Sequence, residues 1–231
     1  MKLFLKDFNN RVLEIEEYLS FVLFIDKIET HKREPISSKL GNSFTVKREH
    51  QKILRSNTFL LLYNLVESSI RHSILAVYDC VHDESLKFEN LSERLQEIWL
   101  KYQSKKIPQT EKNIKKWLKE LMEEVSVGYE IKLEKETINI SGNLDYDSII
   151  KIINTYGFFG SISVERTAIE RDLKKIKTER NLLAHGNKTF CQSGEIITTR
   201  ELIQIKTNIV SFLNDILNNI EQYIDNEKFK C

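Results

Sequence analysis

Apolar side chains recur every three or four residues from Leu3 to Thr30 (Phe8, Val12, Ile15, Leu19, Val22, Ile25), with no breaker before Pro35, which predicts one long helix. The stretch from Ile36 to Val46, with Ser37, Ser38, Gly41 and Ser43, reads as a loop. A second long helix is predicted from Arg48 to Val81. It is apolar almost all round over Phe59 to Val66, so it belongs at the centre of a bundle. Its polar residues are therefore informative: Asn57, Asn64, Glu67, Ser68 and Arg71 fall within a sector of about 100°, which Leu60 and Leu61 share. Such a stripe is either an internal hydrogen-bond network that fixes helix register or the lining of a site.

From His82 to Ser163 the pattern breaks into shorter pieces. Helices are expected near Leu91–Tyr102, Glu111–Val125 and Tyr146–Asn154, and the alternation over Tyr129–Ile140 suits a small β-hairpin. Residues 84–163 read as a mixed, mainly helical insertion between bundle helices of a single domain spanning 1–231. Helical periodicity returns at Val164 and runs to His185, where Gly186 is placed to take the left-handed conformation that ends a helix. Thr198-x-x-Glu201 then reads as a capping box. The last helix carries an apolar seam of Leu202, Ile205, Ile209, Phe212, Ile216, Ile220 and Tyr223 that packs along the bundle or against a second copy. The fold class expected is all-α, and the scarcity of breakers, 7 Gly and 2 Pro in 231 residues, agrees with long helices.

Charge narrows the function classes. With 35 Lys and Arg against 34 Asp and Glu, the chain has no net pull toward nucleic acid or membrane, so any basic patch is local. The longest apolar run, Phe21 to Ile25, is far short of the roughly 18 residues a span requires. Three widely spaced cysteines, Cys80, Cys191 and Cys231, suggest neither a disulfide framework nor a metal knuckle, and a cytoplasmic setting is expected. There is no Gly-rich phosphate loop, no Cys-x-x-Cys and no His-x-x-x-His on a helix, which argues against P-loop hydrolysis and a helical zinc site; no cofactor is expected. A DNA-binding regulator lacks a recognisable groove-reading helix. His31, His50, His72 and the His82-Asp83-Glu84 cluster read as solvated or capping residues.

His185 differs because it ends the string Glu179-Arg180-Asn181-Leu182-Leu183-Ala184-His185-Gly186. On that helix Ile169, Leu173, Ile176 and Leu183 make the apolar stripe, and Arg180 is expected inside it. A guanidinium aimed at a core is costly unless paired. It is then either an ion pair with Glu67, an arginine whose stem packs while its head reaches the edge, or an anion fork in a dry groove. Asn181 and His185 share a face, whereas Arg180 lies about 140° around the helix from His185. A single chain does not easily close such a site, so either the helix unwinds near Gly186 or a second subunit supplies its own copy. The C-terminal end of a helix, where partial negative charge collects, suits an imidazole acting as general acid.

At these residues the chain resembles the HEPN superfamily (higher eukaryotes and prokaryotes nucleotide-binding domains). Its hallmark is Arg-x(4–6)-His near the end of a bundle helix, often with Asn directly after the Arg. Arg180-Asn181 and Ala184-His185-Gly186 match it. The run from Leu60 to Ser68 and the continuation Asn187-Lys188-Thr189-Phe190 are similar to a bacterial branch of HEPN nucleases encoded in mobile conflict operons. The resemblance implies an antiparallel HEPN-like helical bundle and a metal-independent endoribonuclease that acts as a homodimer, a toxin or effector of a toxin–antitoxin or phage-defence system. RNA would be its substrate, and an inhibitor or antitoxin protein its partner. The roles implied are His185 as general acid/base, Arg180 as phosphate clamp and Asn181 as orienting donor, with Glu67 and Asn64 in support. Lys174, Lys175, Lys177 and Lys188 flank the motif, and Lys177 and Lys188 are the candidates for an RNA-binding track. The alternative is a non-catalytic HEPN-like helical binding or scaffold module, which the neutral net charge would suit. HEPN toxins silenced by a nucleotidyltransferase carry a Tyr two residues after the His; here Asn187 stands there, which argues against that regulation.

Overall fold

The computed structural model describes residues 2–28, 35–37, 43–138, 140 and 143–231. Helix α1 (Leu3–Asp26) buries Phe4, Phe8, Ile15, Leu19, Val22 and Ile25, the stripe that its periodicity predicts. It stops at Asp26; Thr30, His31, Ser38 and Gly41 lie outside the described residues. The expected loop before α2 contains a two-stranded antiparallel ribbon, β1 (Pro35–Ser37) with β2 (Ser43–Thr45). Three residues per strand are too few to show an alternation.

Helix α2 (Arg48–Asp83) is the axis of the fold and packs against α1, α6, α7 and α8. That is the consequence of its all-round apolar stretch: Phe59, Leu62, Tyr63, Leu65 and Val66 are all buried. Helices α3 (Glu93–Ser104), α4 (Glu111–Val127) and α5 (Tyr146–Tyr156) follow. Their buried residues, Leu95, Trp99, Ile149 and Ile153 among them, join one continuous core with the long helices. The hairpin expected over Tyr129–Ile140 is absent among the described residues. Ile131 N–H instead donates to the Leu86 carbonyl (2.8 Å), Glu130 bridges to Lys87, and Lys135–Thr137 form one 3₁₀ turn. The alternation has a different cause: Ile131 and Leu133 point into the core while their neighbours face outward.

Helix α6 (Arg166–Ala184) is N-capped by Glu165, whose carboxylate accepts the Thr167 and Ala168 N–H groups (3.0 and 2.9 Å). A short helix α7 (Phe190–Glu195) was not expected, although Thr189 and Gln192 form a reciprocal capping box that marks its start. It lies against α2 so closely that a Cβ on Gly194 would sit 1.8 Å from the Lys52 carbonyl oxygen, so no larger residue fits. Helix α8 (Thr199–Asp225) opens with the predicted Thr198–Glu201 box and buries its seam from Leu202 to Tyr223 against the bundle.

Candidate functional site

The motif helix ends in a Schellman arrangement. Gly186 N–H donates to the Leu183 carbonyl (3.2 Å) and Asn187 N–H to the Leu182 carbonyl (2.9 Å), with Gly186 at φ +69°. This closure places His185 at the C-cap, where its backbone N–H donates to the Asn181 carbonyl (3.0 Å) and its side chain is exposed. Helix α6 therefore keeps its geometry up to His185 rather than unwinding before it.

Arg180 is half-buried, and this corrects its expected place inside the apolar stripe. The buried positions of α6 are Ile169, Asp172, Leu173, Ile176, Glu179 and Leu183, so the charge that enters the core at the motif is Glu179. The Arg180 guanidinium lies over the ring of Tyr63, 4.5 Å from its centroid, a cation–π contact of about 0.5–2 kcal/mol. Its Nη1 donates to Asn181 Oδ1 (2.9 Å), and Asn181 Nδ2 donates onward to Asn143 Oδ1 (2.8 Å), a directed chain that fixes both amides. Of the alternatives for Arg180, the ion pair with Glu67 is not among the contacts of the described residues, and Glu67 accepts from Arg71 Nη2 (3.1 Å). Asn64 is exposed and Glu67 half-buried, so the polar stripe of α2 is not a fully buried network. Beneath Arg180, burial pushes the Tyr63 hydroxyl upward in pKa. The Leu144 N–H that it accepts (3.0 Å) and the cations of Arg180 and Lys177 oppose that push, and the Glu67 carboxylate adds to it.

Both lysines expected to track RNA are engaged internally. Lys177 Nζ donates to Asp145 (2.6 Å), and Lys188 Nζ to both oxygens of Glu179 (3.0 and 2.9 Å). Glu179 also accepts from the buried Ser193 hydroxyl (2.6 Å), so its carboxylate ties α6, α7 and the turn between them. Their ammonium groups are ends of internal ion pairs, which reduces the basic surface they offer.

Asp145 caps α5, accepting from Ser148 N–H (3.0 Å) and Ser148 Oγ (2.6 Å) as well as from Lys177. Burial raises its pKa, but Lys177 and Ser148 outweigh that and bring it from 3.8 to about 2. A carboxyl held below its unfolded value adds stability that is complete above roughly pH 4 and disappears as pH falls from there toward 2. Asp145→Asn should therefore narrow its gap in thermal midpoint from the wild type across that window. A gap that stays constant down to pH 2 would contradict this account.

The other histidines are largely accounted for. His50 Nδ1 accepts the Lys47 N–H (3.1 Å) as a cap, His82 Nε2 accepts the Leu133 N–H (3.0 Å), and His72 pairs with Asp7 (3.0 Å). Among the described residues no group of three or more His, Cys, Asp or Glu is arranged to hold a metal ion, and no helix is long and apolar enough to cross a membrane. Sequence reasoning missed Tyr63, Asn143, Asp145 and Glu179. Asp145 had a local signal, a capping residue three before Ser148, whereas Asn143 had none, because its partner is 38 residues away.

The structure thus joins Arg180 to Asn181 and leaves His185 open at the helix end. Among known families, the one described as HEPN_MAE_28990-like HEPN matches residues 2–229. No curated protein and no solved structure matches the chain. With that match running nearly end to end across an all-α bundle, the chain belongs to the HEPN_MAE_28990-like HEPN family.

Proposed function

We propose that this chain is a metal-independent endoribonuclease that works as a homodimer, with the ends of two α6 helices meeting at one RNA phosphodiester. The observation that carries the reading is the pair at the end of α6: a guanidinium seated on Tyr63, and an exposed imidazole at the C-cap. In the reaction, the ribose 2′-oxygen bonds to the adjacent phosphorus as one His185 imidazole takes its proton. The bond from phosphorus to the 5′-oxygen breaks, and the His185 of the second copy protonates that oxygen. Arg180 stabilises the charge that builds on the phosphoryl oxygens, and Asn181 orients the guanidinium. The products are a 2′,3′-cyclic phosphate and a 5′-hydroxyl. DNA has no 2′-hydroxyl and is left whole. Glu67 and Asn64, on α2 near Tyr63 in sequence, act as supports. In the cell the activity fits a toxin or defence effector held in check by an inhibitor protein, within a single domain whose residues 84–163 are an insertion.

Purified protein incubated with total RNA in EDTA should cut it and leave cyclic phosphate ends. Intact RNA in EDTA, with cutting restored by a divalent cation, would overturn the chemistry. A second reading, a non-catalytic binding module, draws on one specific observation: Lys177 and Lys188 are engaged by Asp145 and Glu179, so the basic track flanking the motif is reduced.

A further inference from the structure

A cavity of about 280 Å³ opens between α3, α5 and the residues Thr137, Ile138, Ile140 and Leu144. Its floor is apolar, made by Ile74, Ile98, Ile138 and Ile152. Its mouth carries Lys101, Lys105 and Lys151, and no Asp or Glu lines it. None of the three lysines takes part in an ion pair among the described residues, in contrast to Lys177 and Lys188 at the motif. Positive charge over a low-dielectric wall focuses potential into the opening and favours an anion there. The floor is also pre-formed. Tyr156 and Tyr78 share a hydrogen bond (2.6 Å), as do Tyr78 and Thr137 (2.6 Å), and Thr137 donates to the Glu134 carbonyl (2.7 Å). The volume sits at the small end of ligand sites, roughly 300–1,000 Å³, which suits one ring system with one anionic group and excludes a folded peptide segment.

Residues that line this cavity make, or adjoin residues that make, contacts to the side chains around Arg180. Ile140, Leu144 and Ser148 face the cavity. From the same stretch, the Ile140 carbonyl accepts from Arg71 (3.5 Å), Asn143 from Asn181 (2.8 Å) and Asp145 from Lys177 (2.6 Å), while the Leu144 N–H donates to the Tyr63 hydroxyl (3.0 Å). Residues 143–145 therefore hold Tyr63 of α2 and Asn181 and Lys177 of α6, and a ligand pressing on Leu144 bears on these three.

We propose that this cavity binds a small planar anion, a ring compound bearing a phosphate, carboxylate or sulfonate, and that its occupancy is transmitted through Leu144 and the adjoining Asn143 to Tyr63 and Asn181. Binding itself stands independently of RNA cleavage; only its regulatory meaning rests on the proposed function.

The test uses the full chain and the fluorescent probe naphthalene-1-sulfonate, a planar fused ring system with one sulfonate. Saturable one-to-one binding is expected, and the triple substitution Lys101→Ala, Lys105→Ala, Lys151→Ala should weaken it about tenfold or more without lowering the thermal midpoint. Thr155→Trp, which fills the opening from an exposed position, should abolish it. Displacement by nucleoside monophosphates but not by benzoate assigns the site to a nucleotide, and the reverse assigns it to an aromatic acid. Probe occupancy should also slow hydrogen exchange at the Leu144 amide. No saturable binding, displacement by neither class, or binding indifferent to the lysine substitutions would overturn the site. An unchanged Leu144 amide would overturn the transmission. None of these readouts needs RNA to be cut, so an inactive protein that binds the probe refutes the nuclease reading alone.

Discussion

His185→Ala should lower the rate of RNA cleavage by roughly 10²–10⁴-fold, the usual contribution of a positioned acid or base. Its thermal midpoint should stay within about a degree of the wild type, since the helix end is closed by backbone hydrogen bonds that the substitution keeps and an exposed side chain contributes little packing. The side chain is exposed, and among the described residues no hydrogen bond to its ring is present. Arg180→Ala is expected to cost roughly 10²–10³-fold in kcat through lost charge stabilisation, together with a small loss of stability from the emptied face of Tyr63. Arg180→Lys separates the two effects: it keeps the charge but forfeits the planar fork and most of the stack. Single-turnover kinetics on a defined RNA, with melting curves on the same samples, makes the measurement. If His185→Ala and Arg180→Ala both cleave at the wild-type rate, the motif is structural and the binding-module reading stands in its place.

Glu179→Ala should cause the largest loss of stability of any single change near the motif, about 3–5 kcal/mol, a fall in thermal midpoint of roughly 6–20 °C for a chain of this size. The substitution leaves the Lys188 ammonium and the Ser193 hydroxyl without their acceptor, in a place where the carboxylate side chain is only 8% exposed and the lysine 20%. Lys188→Met should be nearly as harmful, because it strands a buried carboxylate. The double change Glu179→Ala, Lys188→Met should lose less than the two single changes added together, since no charge is left uncompensated. Urea denaturation of the four proteins forms the cycle. Additive losses would mean that the residues act separately and that the lock between α6 and α7 has another origin. Activity should fall along with stability in the single variants, because α7 follows directly on the turn that carries His185.

Much of the fold was legible along the chain. The bounds of α2, α6 and α8 follow from apolar spacing and from residues with a single local purpose: Gly186 in its left-handed turn, and Thr198 with Glu201 in their box. The same reasoning failed at Tyr129–Ile140. Alternation reports that one face is buried, not which strand pairs with the segment, and here Leu86 and Lys87 take the place of a hairpin partner. Helix α7 was missed although Thr189-x-x-Gln192 announces it, because six residues hold too little periodicity to stand out.

The candidate site divides in the same way. The sequence by itself determined that α6 carries Arg180, Asn181 and His185 up to a glycine-terminated end, since a helix and its caps are set by bonds spanning four or five residues. Only the tertiary structure decided that Glu179 and not Arg180 enters the core, that Lys177 and Lys188 are held by Asp145 and Glu179, and that Asn143 and Leu144 latch Asn181 and Tyr63. Glu179 and Arg180 are neighbours about 100° apart on α6. Which of two adjacent charges is buried depends on where a countercharge arrives when distant segments dock, and no local pattern encodes that arrival.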